Sequence, residues 1–210
     1  MVESQLRGRE IRDERVLQAM SEVPRELFLA PDQRHDAYRD GAVYIVEGQT
    51  MSQPWIVACM TQLLELEGDE RVLEVGTGSG YAAAVLACCA GEVITIERHP
   101  VLAERAQRRL AELGFHNVEV RAGDGSGGVP DRAPFGGISV TAAVDVEPPK
   151  VLTQQLEPGA ALVCPVRRRL TEQLVRYRDG RVEPVVPVRF VPLVPAVGDR
   201  AETGGPAEEA

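Results

Sequence analysis

A chain of 210 residues, 44% of them hydrophobic, suits one α/β unit with a proper core. The formal net charge of −9 argues against a non-specific grip on nucleic acid or an anionic membrane surface. No apolar run is as long as a membrane span, and the start, "MVESQLRGREIRDER", lacks a signal-peptide core, so a soluble cytoplasmic protein is expected.

Residues 9–22 carry Ile11, Val16, Leu17 and Met20 at helical spacing, and Val23-Pro24 ends that helix because the residue before proline avoids the α region. Residues 24–52 are rich in turn formers and are expected to form an irregular lid around a site. Then comes "GQTMSQPWIVACMTQLLEL", from Gly48. Ser52 has the hydroxyl of a good N-cap, Pro54 is tolerated in a first turn, and Trp55, Ile56, Met60, Leu63, Leu64 and Leu66 supply an apolar stripe.

From residue 71 the pattern is regular. Strands at Arg71–Val75, Glu92–Glu97, Val118–Ala122, Gly137–Thr141 and Ala160–Pro165 alternate with helices at Gly80–Cys89, Val101–Leu113 and Pro149–Leu156. Such alternation predicts a parallel sheet covered on both faces. Leu170–Arg178 and Arg181–Val188 form a hairpin through Asp179-Gly180, a pair suited to the type I′ turn. "VRFVPLVP" continues as an extended piece, and the small polar tail from Gly198 is expected to be disordered. Arg167-Arg168-Arg169 lacks a surrounding basic face and is expected to be a solvated loop. Cys59, Cys88, Cys89 and Cys164 lie in apolar stretches without metal-ligand spacing, as small core residues in a reducing compartment. His35, His99 and His116 complete no ligand set, so no metal site is expected.

The chemistry concentrates in "RVLEVGTGSGY". Gly76, Gly78 and Gly80 let a ligand approach the backbone at a helix start, but their spacing is not the G-x-G-x-x-G of a dinucleotide site. Glu74 would repel a pyrophosphate and suits a ligand bearing a cation. Glu97 ends the second strand, where an acid accepts ribose hydroxyls, and Asp124-Gly125 follows the third, where an acid can accept from an exocyclic amine. Acids at the carboxyl ends of successive parallel strands converge on the crevice where such sheets bind ligands. Ribose, adenine and a sulfonium together describe S-adenosylmethionine.

In order along residues 10–193, "VPRELFL", "GQTMSQP", "LEVGTGSGYAAAVLA", "VITIER", "GDGSGG", "ISVTAAV", "QLEPGAALVCPV" and "VRFVPL" resemble the protein-L-isoaspartate O-methyltransferases. "GQTMSQP" and "VTAA" are specific to that family, whereas the glycine motif is common to class I methyltransferases. The resemblance implies a Rossmann-like, seven-stranded, mostly parallel sheet with helices on both faces and an unusual order of its last strands. It divides the chain into an N-terminal helical and lid segment (1–52), a cofactor-binding methyltransferase domain (53–197) and the tail (198–210).

It further implies methylation of the α-carboxylate of L-isoaspartyl residues in damaged peptides and proteins by a monomeric repair enzyme. The methyl ester then closes to a succinimide whose hydrolysis partly restores aspartate. Ser52 matches the family's active-site serine and Thr50 its cofactor-contacting stretch, while Val191, Pro192 and Leu193 would pair with an extended substrate peptide. The sequence departs from the family at Gly136-Gly137, where an Asp and a polar residue are usual, at Val46-Glu47 for Ile-Gly, and at Val194 for Thr. The alternative is an aspartate-carboxylate methyltransferase acting on a modified natural-product peptide. A nucleic-acid methyltransferase is disfavoured by net charge and by the lack of an Asn/Asp-Pro-Pro-aromatic motif after the fourth strand.

Overall fold

The computed structural model describes residues 1–169 and 171–195, so the tail expected from 198 lies outside the described residues. A small antiparallel pair, β1 (Val43–Tyr44) and β2 (Thr50–Met51), belongs to the lid. The main sheet contains β3 (Arg71–Val75), β4 (Glu92–Glu97), β5 (Val118–Ala122), β6 (Phe135–Val140), β7 (Val144–Asp145), β8 (Leu156–Arg168), β9 (Thr171–Arg178) and β10 (Arg181–Pro187). Its order is β10-β9-β8-β6-β3-β4-β5, with the two-residue β7 also beside β8. That makes eight strands where seven were expected. β5, β4, β3, β6 and β8 run parallel, and β9 is antiparallel to both its neighbours. The chain therefore leaves β3 toward β4 and β5 and returns to its other side with β6. This reversal opens a crevice beyond the carboxyl ends of β3 and β6.

Alternation along the strands sorts the core into two layers. Val72, Val93, Ala161 and Val163 pack with α1 (Glu14–Glu22), α2 (Pro54–Leu64) and α3 (Tyr81–Ala87). Leu73, Val75, Ile94, Ile96, Ile138, Val140 and Leu162 face the opposite layer with Leu152 of α5 (Lys150–Thr153). Leu6, Ile11, Val16, Leu17 and Met20 share the first layer, so the N-terminal segment and the sheet have a common core. Between β4 and β5 runs α4 (Pro100–Glu112), with Leu102, Ala103, Ala106 and Leu110 buried.

Several boundaries differ from expectation. Glu10 is left-handed at φ 70° and Asp13 caps α1 by accepting from the Arg15 and Val16 N–H groups at 2.9 and 3.2 Å. The apolar periodicity from residue 9 thus runs through a non-helical stretch in which Ile11 is nevertheless buried. α5 is shorter than expected and β8 longer, because Leu156–Gly159 joins the strand. The hairpin turn behaves as read, with Asp179 and Gly180 both at positive φ, 48° and 80°. Arg167 and Arg168 extend β8 rather than a loop. Cys88 is exposed, against expectation, because α3 stops at Ala87 and turns it outward.

The glycine departure has a packing reason. A Cβ at Gly136 would come within 2.7 Å of the Glu70 side chain, and one at Gly137 within 3.3 Å of Leu66. A side chain at Gly136 would force Glu70 to move, whereas one at Gly137 would make only a tight contact with Leu66.

Candidate active site

Two clefts open at the carboxyl ends of β3 and β6. The first, about 330 Å³, is lined by the ends of β3 and β4, the Asp124 loop, the lid around Thr50 and the segment Val191–Val194. The second, about 220 Å³, lies between the glycine turn, the start of α2 and residues 187–191. They meet at Thr50, Gly76, Gly78, Thr141 and Val191.

β3 ends in a turn that only glycine fits. Gly76 sits at φ 100°, its N–H donates to the Ile96 carbonyl at 2.9 Å, and a Cβ there would overlap Thr141 Oγ1. Thr141 Oγ1 donates to the Gly76 and Val75 carbonyls at 2.6 and 3.0 Å, locking β6 to the turn between the clefts. Sequence reasoning missed Thr141, although it stands inside the quoted "ISVTAAV".

In the first cleft Glu97 is 5% exposed, and both its oxygens are held by backbone: Oε2 accepts from Gly78 N–H and Oε1 from His99 N–H, each at 2.9 Å. These bonds aim the carboxylate and leave further lone pairs for a ligand hydroxyl. Asp124 stands exposed at the mouth, its Oδ1 accepting from Ser126 N–H at 2.8 Å. Gly125 lets that loop lie on the sheet, since a Cβ would come within 2.7 Å of Val75 and 2.9 Å of Ile96.

Two expected cofactor residues do not line either cleft. Gly80 caps α3 at φ 86° and packs on Ala106 of α4. Glu74 is fully buried behind the turn, where Thr95 Oγ1 donates to its Oε2 at 2.6 Å and bonds Thr77 Oγ1 at 2.6 Å. Burial, with a smaller push from Glu97, raises its carboxyl to about 8. Glu74 is then protonated near neutral pH and offers no charge to a ligand cation, which removes the reason given for it. It supports the turn from beneath through Thr95 and Thr77.

In the second cleft Ser52 is half-buried and lines the wall beside Thr50, Tyr81 and Thr141. Ser52 is not the cap of α2. Gln53 holds that position, without a side-chain capping bond, and Pro54 begins the helix. The Ser52 carbonyl accepts from Arg25 Nη2 at 2.6 Å.

Val191, Pro192 and Leu193 line the first cleft opposite the lid, and Val191 also lines the second. Val191 C=O and Leu193 N–H are already paired with Ala143, each at 2.8 Å. By strand alternation the residue facing the other way is Pro192, which has no N–H. On that outer edge Pro192 therefore presents a carbonyl acceptor and no donor.

The model of the family described as protein-L-isoaspartate(D-aspartate) O-methyltransferase matches residues 1–198. A protein-L-isoaspartate O-methyltransferase of Methanoculleus marisnigri is 49% identical over 206 residues, covering 96% of this chain and 93% of that one. Its counterpart in Methanoregula boonei is 50% identical over 205 residues, covering 94% and 93%. A solved protein-L-isoaspartate O-methyltransferase superposes with a TM-score of 0.75 at 31% identity, covering 87% of this chain and 61% of that one. One from Plasmodium falciparum, solved with S-adenosyl-L-homocysteine, superposes at 0.77 over 89% and 94%, and at 23% identity it speaks to the fold alone. By sequence and by fold, the chain belongs to the protein-L-isoaspartate (D-aspartate) O-methyltransferase family.

Proposed function

We propose that this protein transfers a methyl group from S-adenosylmethionine to the α-carboxylate of L-isoaspartyl residues in damaged proteins, as a cytoplasmic monomer. The observation that carries this is the junction at Gly76 and Thr141 of a cleft holding Glu97 and Asp124 with a second cleft that, among the described residues, no Asp or Glu lines. The first suits a ribose, an adenine amine and a cationic centre, and the second a carboxylate.

The residues fit the cofactor. The turn at Gly76 and Gly78 brings bare backbone to the cleft, Glu97 holds acceptors for ribose hydroxyls, and Asp124 holds one for the base at the mouth. When bound, S-adenosylmethionine supplies a sulfonium methyl already activated for transfer. A carboxylate is a competent nucleophile at neutral pH, so the second cleft needs no general base, and among the described residues no His, Asp or Glu lines it. Its residues position: the Ser52 hydroxyl donates a hydrogen bond to the substrate carboxylate, and Val191 and Phe190 wall the cleft from water.

The natural-product alternative drew on departures such as Gly136-Gly137, but these two glycines pack against Glu70 and Leu66 and line neither cleft. No helix among the described residues is long and apolar enough to cross a membrane. The test is transfer of labelled methyl to a peptide with one L-isoaspartyl residue and to its aspartyl isomer. Label on the first and not the second is expected; equal label, or none, would overturn the assignment.

A further inference from the structure

Arg25, in the quoted "VPRELFL", is 0% exposed. Its Nε donates to the Ala37 carbonyl and its Nη2 to the Ser52 carbonyl, each at 2.6 Å, and the guanidinium stacks over Tyr81 at 4.6 Å from the ring centre. Nη1 is buried and makes no hydrogen bond among the described residues. Burial pulls its guanidinium pKa down, opposed by Tyr81 and Tyr38. Among the described residues it makes no ion pair, and the Glu26 carboxylate is reached only through the Tyr38 hydroxyl, which donates to it. A buried guanidinium stays charged, and a buried charge normally has a partner. Its bonded neighbour Ser52 and stacked neighbour Tyr81 both line the second cleft. Arg25 itself lies behind that lining, and the cation within it, among the described residues, is the exposed Arg189.

We infer that Arg25 is a positioning residue for the substrate: its buried charge, which has no direct ion-pair partner among the described residues, favours a carboxylate entering beside Ser52 from behind the cleft wall, while its fork holds the Ser52 backbone in place. A charge with little water around it acts through the wall of the cleft where a surface charge would be screened. The inference rests on the proposed carboxylate substrate. It adds that recognition is electrostatic and comes from behind the cleft wall.

The experiment compares an L-isoaspartyl peptide with the same peptide whose α-carboxylate is replaced by a carboxamide. Both are titrated into the protein saturated with S-adenosylhomocysteine, for the native chain, Arg25→Gln and Arg25→Lys. The native protein is expected to prefer the carboxylate roughly 10-fold, a preference lost in Arg25→Gln, largely kept in Arg25→Lys, and little changed by added salt. An equal preference in the native chain and Arg25→Gln, with only a lowered Tm, makes Arg25 a structural clamp and overturns the inference.

Should Arg25→Gln not fold, the native Arg25 Nε–Hε resonance serves. It is expected to shift with the carboxylate peptide and not with the carboxamide, and an unmoved resonance overturns the inference. Turnover of the isoaspartyl peptide is scored separately. Its absence sinks the proposed function, whereas the carboxylate preference alone decides Arg25.

Discussion

The two clefts share the glycine turn yet differ in where their charge sits. The first has two acids on its wall, with Arg98 beside them: Glu97 is fixed by two backbone N–H groups and Asp124 closes an Asx turn at the rim. Among the described residues no acid lines the second, where Arg189 is exposed at the wall and the buried Arg25 stands one layer behind it. In the proposed reading a cationic cofactor would meet the acids directly, whereas the substrate carboxylate would enter a pocket without acids that Arg25 backs from behind. The comparison teaches that a single turn can separate a wall with acids from one without them.

The largest effect should come from breaking what the clefts share. In Gly76→Ala the new Cβ would overlap Thr141 Oγ1 at a φ of 100°. Overpacking costs about 1–3 kcal/mol and a left-handed non-glycine residue about 1–2 kcal/mol more. Thermal melts and calorimetry with S-adenosylhomocysteine should show a lower Tm and loss of measurable binding. Retained affinity would mean the turn does not cradle the cofactor.

Ser52→Ala should separate the clefts. Because Ser52 does not cap α2, its Tm should move little, and cofactor affinity should hold. kcat/KM for an isoaspartyl peptide should fall roughly 10- to 100-fold, the worth of one hydrogen bond made at the reacting group. Intact kcat/KM would remove Ser52 from the machinery. Glu97→Gln should do the reverse, weakening cofactor by about 1–3 kcal/mol while the KM for peptide at saturating cofactor stays near normal. An unchanged dissociation constant would refute the ribose assignment.

The smallest effect tests the support beneath the turn. The Glu74 carboxyl is raised to about 8 in the folded protein from an ordinary 4.5, so the folded state holds a proton that the unfolded state releases. Its contribution is full below pH 4.5 and is lost as pH rises toward 8. Glu74→Gln keeps the neutral shape and lacks the titration. The Tm difference between native protein and Glu74→Gln should therefore shift in favour of the variant from pH 5 to pH 8. A parallel pair of Tm profiles would show that Glu74 is charged throughout.

Much of the first cleft was legible from the chain. Glu97, Asp124 and Gly125 follow strands whose limits match residue for residue at β3, β4 and β5, since a buried parallel strand is a short apolar run ended by a turn. Less of the second was legible. Ser52 was found by resemblance, and its capping role failed because Gln53 occupies the cap position. Arg25 and Thr141 went unremarked because nothing local distinguishes a buried guanidinium or a strand-end threonine from ordinary ones.

By itself the sequence determined the alternation of strands and helices, the glycine turn after β3, the acids at successive strand ends and the Asp179-Gly180 hairpin. Each depends on contacts within a few residues or on which face of one element is apolar. Tertiary structure decided that Glu74 lies sealed beneath the turn, that Thr141 ties β6 to Gly76 across 65 positions, that Pro192 pairs with Ala143, and that Arg25 reaches Ser52 from 27 positions away. The physical reason is range. Burial and hydrogen-bond partners are set by which distant segments meet, and a carboxyl or guanidinium takes its charge and role from that surrounding.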